Sequence, residues 1–455
     1  MKLLLYKFTY EKPLKGKKKC GCWKSLAINC WRHSLTNVSL EYEGGDEDDK
    51  QLAEFFRNAR IDGKMVDFVK TTGPEMKYRW KGINSVVLER SDTLRATGAA
   101  IGVLPNGWRA LHQLGLDSSL RSTAVALHNA VDLQAETGVE RRFLLCEGEA
   151  RCIRRGDLIE ALANALPQET IRFGCQVVSI NVERSSSYAV LQLLDGSLIR
   201  AKVLIGCDGA NSVIANYIGL KPTRLYSTCS VRGLTRYPNG HGYAPEFLRV
   251  RANKHLVGRV PVDDKTLYWY VSLRWVQKDA DMPKDPASIK QLTLSKTAGL
   301  PKDIVEMIEN ADLSTLSCTR LRYRAPWNLL SGNLRKETVT VAGDAWHVMG
   351  PFLGQGGSAA MEDAVILARC LSKKICNADL NESIMHLSAQ KAIEALDDYL
   401  KERRQRVVLL STQTYLTGLL LVEKPSLLLR FLCIVILFVF FRDLQKPQKY
   451  DCGEL

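Results

Sequence analysis

The sequence predicts an α/β fold: a Rossmann-like nucleotide-binding lobe, an inserted antiparallel β-rich lobe, and C-terminal helices. Three features point there. Short apolar runs at Ser85–Leu88, Val203–Ile205 and Val339–Ala342 have the length of buried parallel strands and lead into acidic or glycine-containing turns. Helix-period stretches accompany them, the longest from Gly356 to Leu371. Between these, residues 225–330 carry alternating, aromatic-rich segments such as Leu267–Leu273 and Leu321–Trp327. This order divides the chain into residues 1–80, a divergent region in place of a first βα unit; 81–224, the first part of the nucleotide-binding lobe; 225–330, a β-rich substrate lobe; 331–412, the second part and a helix; and 413–455, an apolar tail.

Residues 1–80 mix a lysine run, an acidic run and scattered aromatics without a sustained period, so order is expected from Gly82 onward. Trp108–Leu116 spaces apolar groups as a helix does, and Gly156–Leu166 sets Leu158, Ile159, Leu162 and Leu166 on one helical face. A meander is expected from Val177–Val182, Ala189–Leu194 and Ser197–Ile205, with Asp195-Gly196 as a type I′ turn. In the later helix, Ala360, Ala364, Leu367, Ala368 and Leu371 form one stripe.

Composition narrows the function. With 455 residues the chain forms about two or three joined lobes, and 46% hydrophobic with 25% charged residues excludes disordered and fibrous classes. The net charge of +14 is scattered apart from Lys15, Lys17, Lys18, Lys19 and Lys401, Arg403, Arg404, Arg406; without basic-aromatic interleaving this is no nucleic-acid partner. Among 13 cysteines only Cys20 and Cys22 are close and no CxxC pair occurs, which favours reduced, packed thiols over a disulfide framework or a zinc site. The seven histidines form no HxxxH or HxE group, so no metal is expected. The opening MKLLLYKFTYEK is too short an apolar run for a signal peptide, and the acidic residues 41–50 argue against a transit peptide. A cytoplasmic or peripheral-membrane location in a reducing compartment is expected, with a plastid left open. Residues 427–441 are strongly apolar but interrupted by Arg430, too short to span a bilayer; a buried helix and a peripheral membrane contact both remain open.

Four segments carry chemistry. An acidic residue closing a strand, Glu89, can accept both hydrogen bonds of an adenosine ribose, and Arg95 leads into the small residues Gly98 and Ala99. Arg155 at a helix start can form bidentate bonds to phosphate. A buried strand running into Asp208 and Gly209 presents a carboxylate and open backbone at the ligand-binding edge of a sheet. The longest motif starts at Gly343-Asp344 and continues through Pro351, Gly354, Gln355, Gly356 and Gly357 into Met361-Glu362-Asp363-Ala364. There Asp344 follows a strand as a free carboxylate, the Pro and Gly residues leave the backbone open to close approach, and a helix follows whose N-terminus favours negative charge. His347 reads as packing of this motif rather than a base. Tyr268, Trp269 and Tyr270 on one aromatic run, with the later Trp275 and Trp327, either line an apolar pocket or fill a core.

In order and approximate spacing these four segments resemble the flavoprotein monooxygenases of the para-hydroxybenzoate hydroxylase fold, in particular plant monooxygenases similar to salicylate hydroxylase and zeaxanthin epoxidase. The resemblance runs from about Gly82 to the C-terminal YDCGEL. It implies FAD and NAD(P)H as cofactors, with Glu89, Arg95, Arg155, Asp208, Gly209, Asp344, Pro351, Gly354, Gln355, Gly356 and Gly357 around the FAD. It also implies that a flavin C4a-hydroperoxide transfers oxygen from O2 to a small aromatic or polyene substrate, with no protein nucleophile. A basic residue usual in the family just beyond Ser212 is absent, since Val213–Asn216 are uncharged.

One family element is missing. No GxGxxG occurs upstream of Glu89; Met65–Lys81 offers only Gly73, followed by Pro74, which has no N–H to donate. Poor FAD binding is therefore expected, and the flank of Val86–Leu88 lies open unless Met65–Val69 covers it. Two alternatives follow: a catalytically silent homologue that binds a ligand, or an uncoupled NAD(P)H oxidase.

Overall fold

The computed structural model describes residues 83, 85–94, 100–183, 187–252, 255–275, 282–376, 388–423, 425–443 and 445–455, and the backbone alone of 3–6, 39–42, 67–70 and 375–376. Arg95, Gly98 and Ala99 lie outside the described residues. The chain divides into two units, one of Met1–Lys7 with Lys81–Leu455, the other Phe8–Trp80. In the second unit, Ser39–Tyr42 pairs in parallel with Asp67–Lys70.

The first unit is built on two main sheets. The six-stranded one has the order Ile171–Arg172, Ser85–Leu88, Leu3–Tyr6, Val203–Gly206, Val339–Val341, Arg335–Lys336. Its apolar strands are buried as the sequence predicts, with every residue of Val203–Gly206 and Val339–Val341 inside. The flank of Val86–Leu88 is not open, because Leu3–Tyr6 pairs along it; Asp67–Lys70 pairs with Ser39–Tyr42, and Met65 and Val66 lie outside the described residues. Leu3–Tyr6 occupies the position, antiparallel to both neighbours, because a short run of apolar residues can satisfy two strand edges in either direction.

The seven-stranded sheet runs Ser317–Tyr323, Arg224–Arg236, Thr266–Arg274, Leu256–Asp263, Phe247–Arg251, Asn129–Gln134, Glu140–Leu144. Two of its strands therefore come from residues 129–144, upstream of the aromatic-rich span. On Thr266–Arg274 the period of two sends Leu267, Trp269, Val271 and Leu273 into a core shared with Ile304, Met307 and Ile308 of the helix Lys302–Glu309. Trp269 is fully buried, and its indole N–H donates to Thr235 Oγ1 at 2.9 Å.

Several local expectations change. Helices form at Pro105–Gln113, Arg155–Asn164 and Gly356–Cys376, close to the expected spans. The third meander run splits into Leu198–Ala201, which stays with Ala189–Leu193, and Val203–Gly206, which joins the six-stranded sheet. Its turn is not type I′: only Gly196 has positive φ, at 83°, and Leu193 O accepts from Gly196 N at 3.0 Å. Asp195 keeps the ordinary backbone region and the glycine alone takes the left-handed step. Leu321–Trp327 is not one alternating strand, because Pro326 starts the helix Pro326–Ser331 and turns Trp327 outward at 47% exposure.

Candidate cofactor site

Strand register collects the acidic candidates at one sheet edge. Leu4 pairs with both Val87 and Ile205, and Ile205 pairs with Thr340, so these strands are level. Glu89, Asp208 and Asp344 each follow within a few residues at the C-terminal ends of strands that run the same way, where α/β folds bind ligands. Glu89 Oε1 accepts from Ser91 N at 2.8 Å. Asp208 Oδ2 accepts from Val213 N at 2.7 Å, while Oδ1 is buried without a partner. Gly209 follows with φ 82°. The orphaned oxygen is a fit for a ligand hydroxyl, because a buried acceptor left unmade is costly.

Asp344 begins the short helix Asp344–His347. Its side chain is accessible to solvent yet enclosed by protein on most sides: burial raises its carboxyl above the usual range, against the lowering influence of His347 and Arg232. Gly343 sets the aim of Asp344 with φ 60°, a conformation that disfavours a side chain, and its N–H donates to Asp363 Oδ2 at 2.8 Å.

Beyond it, Pro351–Leu353 forms a single 3-10 turn ended by Gly354 at φ 63°. The helix Gly356–Cys376 starts in open space at Gly356, whereas a Cβ on Gly357 would stand 2.6 Å from Ile101 Cδ1. Gln355 points inward and is buried: its Oε1 accepts from Asn106 Nδ2 at 2.8 Å. Arg155 is exposed at the first position of its helix, directly after the strand Arg151–Arg154, which pairs with Ala100–Val103.

Behind the motif lies a buried ionic network that the sequence reading did not assign. Asp363 accepts from His347 Nε2 at 2.7 Å and from Arg403 Nε at 2.7 Å. Glu362 accepts from Arg403 at 2.7 Å, Arg406 at 3.1 Å and Asn106 at 2.6 Å. The side chains of His347, Glu362, Asp363 and Arg403 are wholly buried. Burial alone raises the Asp363 carboxyl, but His347 and Arg403 outweigh it and hold the group below its usual range. His347 is thus part of the scaffold that fixes Gly343.

Two further supports carry no local signal in the sequence. Arg324, 3% exposed, donates to the carbonyls of Trp346, Ala345 and Lys221 and so holds the end of the Asp344 helix. The last residues of the chain close the back of the network. Arg406 donates to Pro447 O, Arg109 to Gln448 O and Tyr450 O, and Arg369 to Cys452 O and Glu454 O. Tyr450 lies 4.7 Å from the Arg406 guanidinium and 5.3 Å from that of Arg403.

The aromatic residues of the sheet separate into two groups. Trp269 and Trp275 belong to the core side, and Trp327 packs edge-on against Tyr415 on the surface. Tyr268 and Tyr270 lie on the opposite face of their strand, half-buried, Tyr268 against a second apolar cluster that includes Leu104 and Val262; burial pushes both hydroxyls up, against the lowering influence of Arg232 on Tyr268 and of Arg249, then Arg232, on Tyr270. Arg232, the cross-strand partner of Tyr270, thus acts on both tyrosines and on Asp344. Its signal in the sequence is a lone cation within Ser230–Leu234, a run otherwise suited to a half-buried strand.

Comparison with known proteins decides the family. The model of the FAD binding domain matches residues 79–409. The chain belongs to this family of FAD-dependent monooxygenases. It is 47% identical over 377 residues to Monooxygenase 1 of Arabidopsis thaliana, covering 82% of this chain and 94% of that protein. Monooxygenase 2 of the same plant is 37% identical over 381 residues, with 82% and 93% covered. Among solved structures, Klebsiella pneumoniae HpxO complexed with FAD and uric acid superposes with a TM-score of 0.65 at 20% identity, covering 81% of this chain and 88% of that one. As a member of the FAD-dependent monooxygenases the chain is an enzyme, of mixed α/β fold, in a family that binds FAD.

Proposed function

We propose that the enzyme hydroxylates or epoxidises a small aromatic or polyene substrate, using O2 and NAD(P)H. The observation that carries this reading is the set of level strands that brings Glu89, Asp208 and Asp344 to one sheet edge, with Arg232 paired across from Tyr270 on the seven-stranded sheet. Bound FAD, reduced by NAD(P)H, supplies the activation of O2 and the transfer of one oxygen atom. Asp344 binds ribityl hydroxyls, the backbone at Pro351, Gly354 and Gln355 borders the ring, and the helix start at Gly356-Gly357 favours negative charge there. Asp208 with Gly209, Arg155, Glu89 and Arg95 are the proposed contacts along the remainder of the cofactor. Tyr268 and Tyr270, held protonated by burial, orient the substrate ring and exclude water. Free thiols such as Cys146, Cys152 and Cys229 accord with a reducing compartment.

The test supplies FAD in excess and follows NADH or NADPH oxidation, O2 uptake and product across phenolic and polyene candidates. Product equal to O2 consumed supports the proposal. Stoichiometric peroxide without product replaces it with an uncoupled oxidase, and absence of NAD(P)H oxidation removes it. A second reading, a catalytically silent ligand-binding homologue, is favoured by one observation: Leu3–Tyr6 fills the sheet antiparallel and brings its N-terminal end to the ligand edge beside Gly206.

A further inference from the structure

We propose that the helix Leu427–Phe440 docks the enzyme onto an anionic lipid surface, immersed in one leaflet. It is not the buried helix that its composition permits. Among its residues only Cys433, 1% exposed, is buried, and Leu437, four positions on, is half-buried; together they make one narrow stripe toward the protein. The apolar side chains on the other sides face outward, among them Leu427 at 85%, Phe438 at 65% and Phe440 at 75% exposure. At about 100° per residue these positions cover roughly three-quarters of the helix circumference.

That breadth selects the occupant. A helix received by a protein groove needs an apolar stripe of little more than about 100°, with a polar back. This helix has no polar back, so what surrounds it is a fluid apolar medium. At 14 residues it is about 21 Å long, short of the roughly 30 Å hydrocarbon core, and no helix among the described residues is long and apolar enough to cross a membrane. Arg430 lies about 60° from the Cys433 stripe, on the flank nearest the protein. With the stripe uppermost its guanidinium sits at headgroup level while the apolar arc points into the leaflet. Arg442 and Lys446, both exposed just past the helix end, extend the cationic edge. Ser426 caps the helix start, and Glu423 before it accepts from Ser227 N at 2.6 Å and Ser227 Oγ at 2.7 Å, which fixes the helix base on the seven-stranded sheet.

Vesicle flotation of the full chain tests this, with phosphatidylcholine alone and with phosphatidylcholine mixed with phosphatidylglycerol. Wild type should float with both and bind the anionic mixture more tightly. Phe431→Asp combined with Phe438→Asp, at exposed positions that leave the thermal melt unchanged, should lower partitioning by about tenfold or more. Arg430→Glu with Arg442→Glu should remove the anionic preference while keeping residual binding. The proposal is overturned if wild type stays with the soluble fraction, or if the double aspartate variant floats equally well. It is also overturned if sedimentation shows a lipid-free oligomer, dissolved by the aspartates, that does not bind vesicles.

Discussion

Replacing Arg403 with methionine removes the cation at the centre of the buried network while keeping much of its volume. Asp363 would retain His347 Nε2 and Gly343 N–H, and Glu362 would retain Arg406 and Asn106, so neither carboxylate is stranded completely. Breaking a buried pair typically costs about 3–5 kcal/mol, and these remaining partners place the expected loss near about 3 kcal/mol. Urea unfolding followed by far-UV circular dichroism reads it as a lower midpoint at unchanged slope. The pH dependence adds a second reading. Asp363 has a folded-state carboxyl below its unfolded value of 3.8, so its contribution is present above that value and is lost as pH falls through the lower folded value. Asp363→Asn should therefore destabilise at neutral pH and flatten the acid limb below about pH 4. An Arg403→Met unfolding free energy within about 0.5 kcal/mol of wild type would refute the claim that this network holds the motif.

Arg232→Met should weaken substrate turnover by about tenfold or more with little change in thermal midpoint, since a single half-buried charge is removed from the sheet face that carries Tyr270; steady-state kinetics with FAD supplied checks it. Deleting residues 445–455 removes the carbonyl acceptors of Arg109, Arg369 and Arg406 and should cost about 2–4 kcal/mol, read by the same urea titration. Gly357→Val should lower the thermal midpoint, because a Cβ there meets Ile101 at 2.6 Å; a midpoint equal to wild type would show that the strand Ala100–Val103 yields.

Much of this architecture was legible because periodicity and turn chemistry act locally. The buried runs Ser85–Leu88, Val203–Ile205 and Val339–Ala342 announce themselves by composition, and Asp344 with its glycines follows a strand at a spacing few other folds require. What was not legible depends on partners distant in the chain. Arg403, Glu362 and Asp363 look like ordinary helix charges until two helices bring them together, and Arg324 and the tail at Tyr450 make contacts that only the folded chain creates. Leu3–Tyr6 was missed because an apolar run of four residues fits a strand of either direction, and only the vacant edges between Ser85–Leu88 and Val203–Gly206 select it. The tail helix shows the same limit: composition says that Leu427–Phe440 avoids water, whereas only packing shows how little of it the protein covers.

The central proposal is that the chain keeps the motif around Asp344 for the flavin but, with no GxGxxG upstream of Glu89, holds the pyrophosphate weakly. Loss of two charge-assisted backbone bonds, each worth about 1.5–3 kcal/mol, weakens binding by about two to four powers of ten. The decisive measurement is FAD affinity, by fluorescence titration, of the chain as it stands and of a chimera whose residues 1–80 are exchanged for the strand–GxGxxG–helix unit of a close relative. The account predicts weak, sub-stoichiometric FAD in the first and yellow, near-stoichiometric protein in the second. Near-stoichiometric FAD in the unaltered chain would contradict it and require some other element to hold the phosphates.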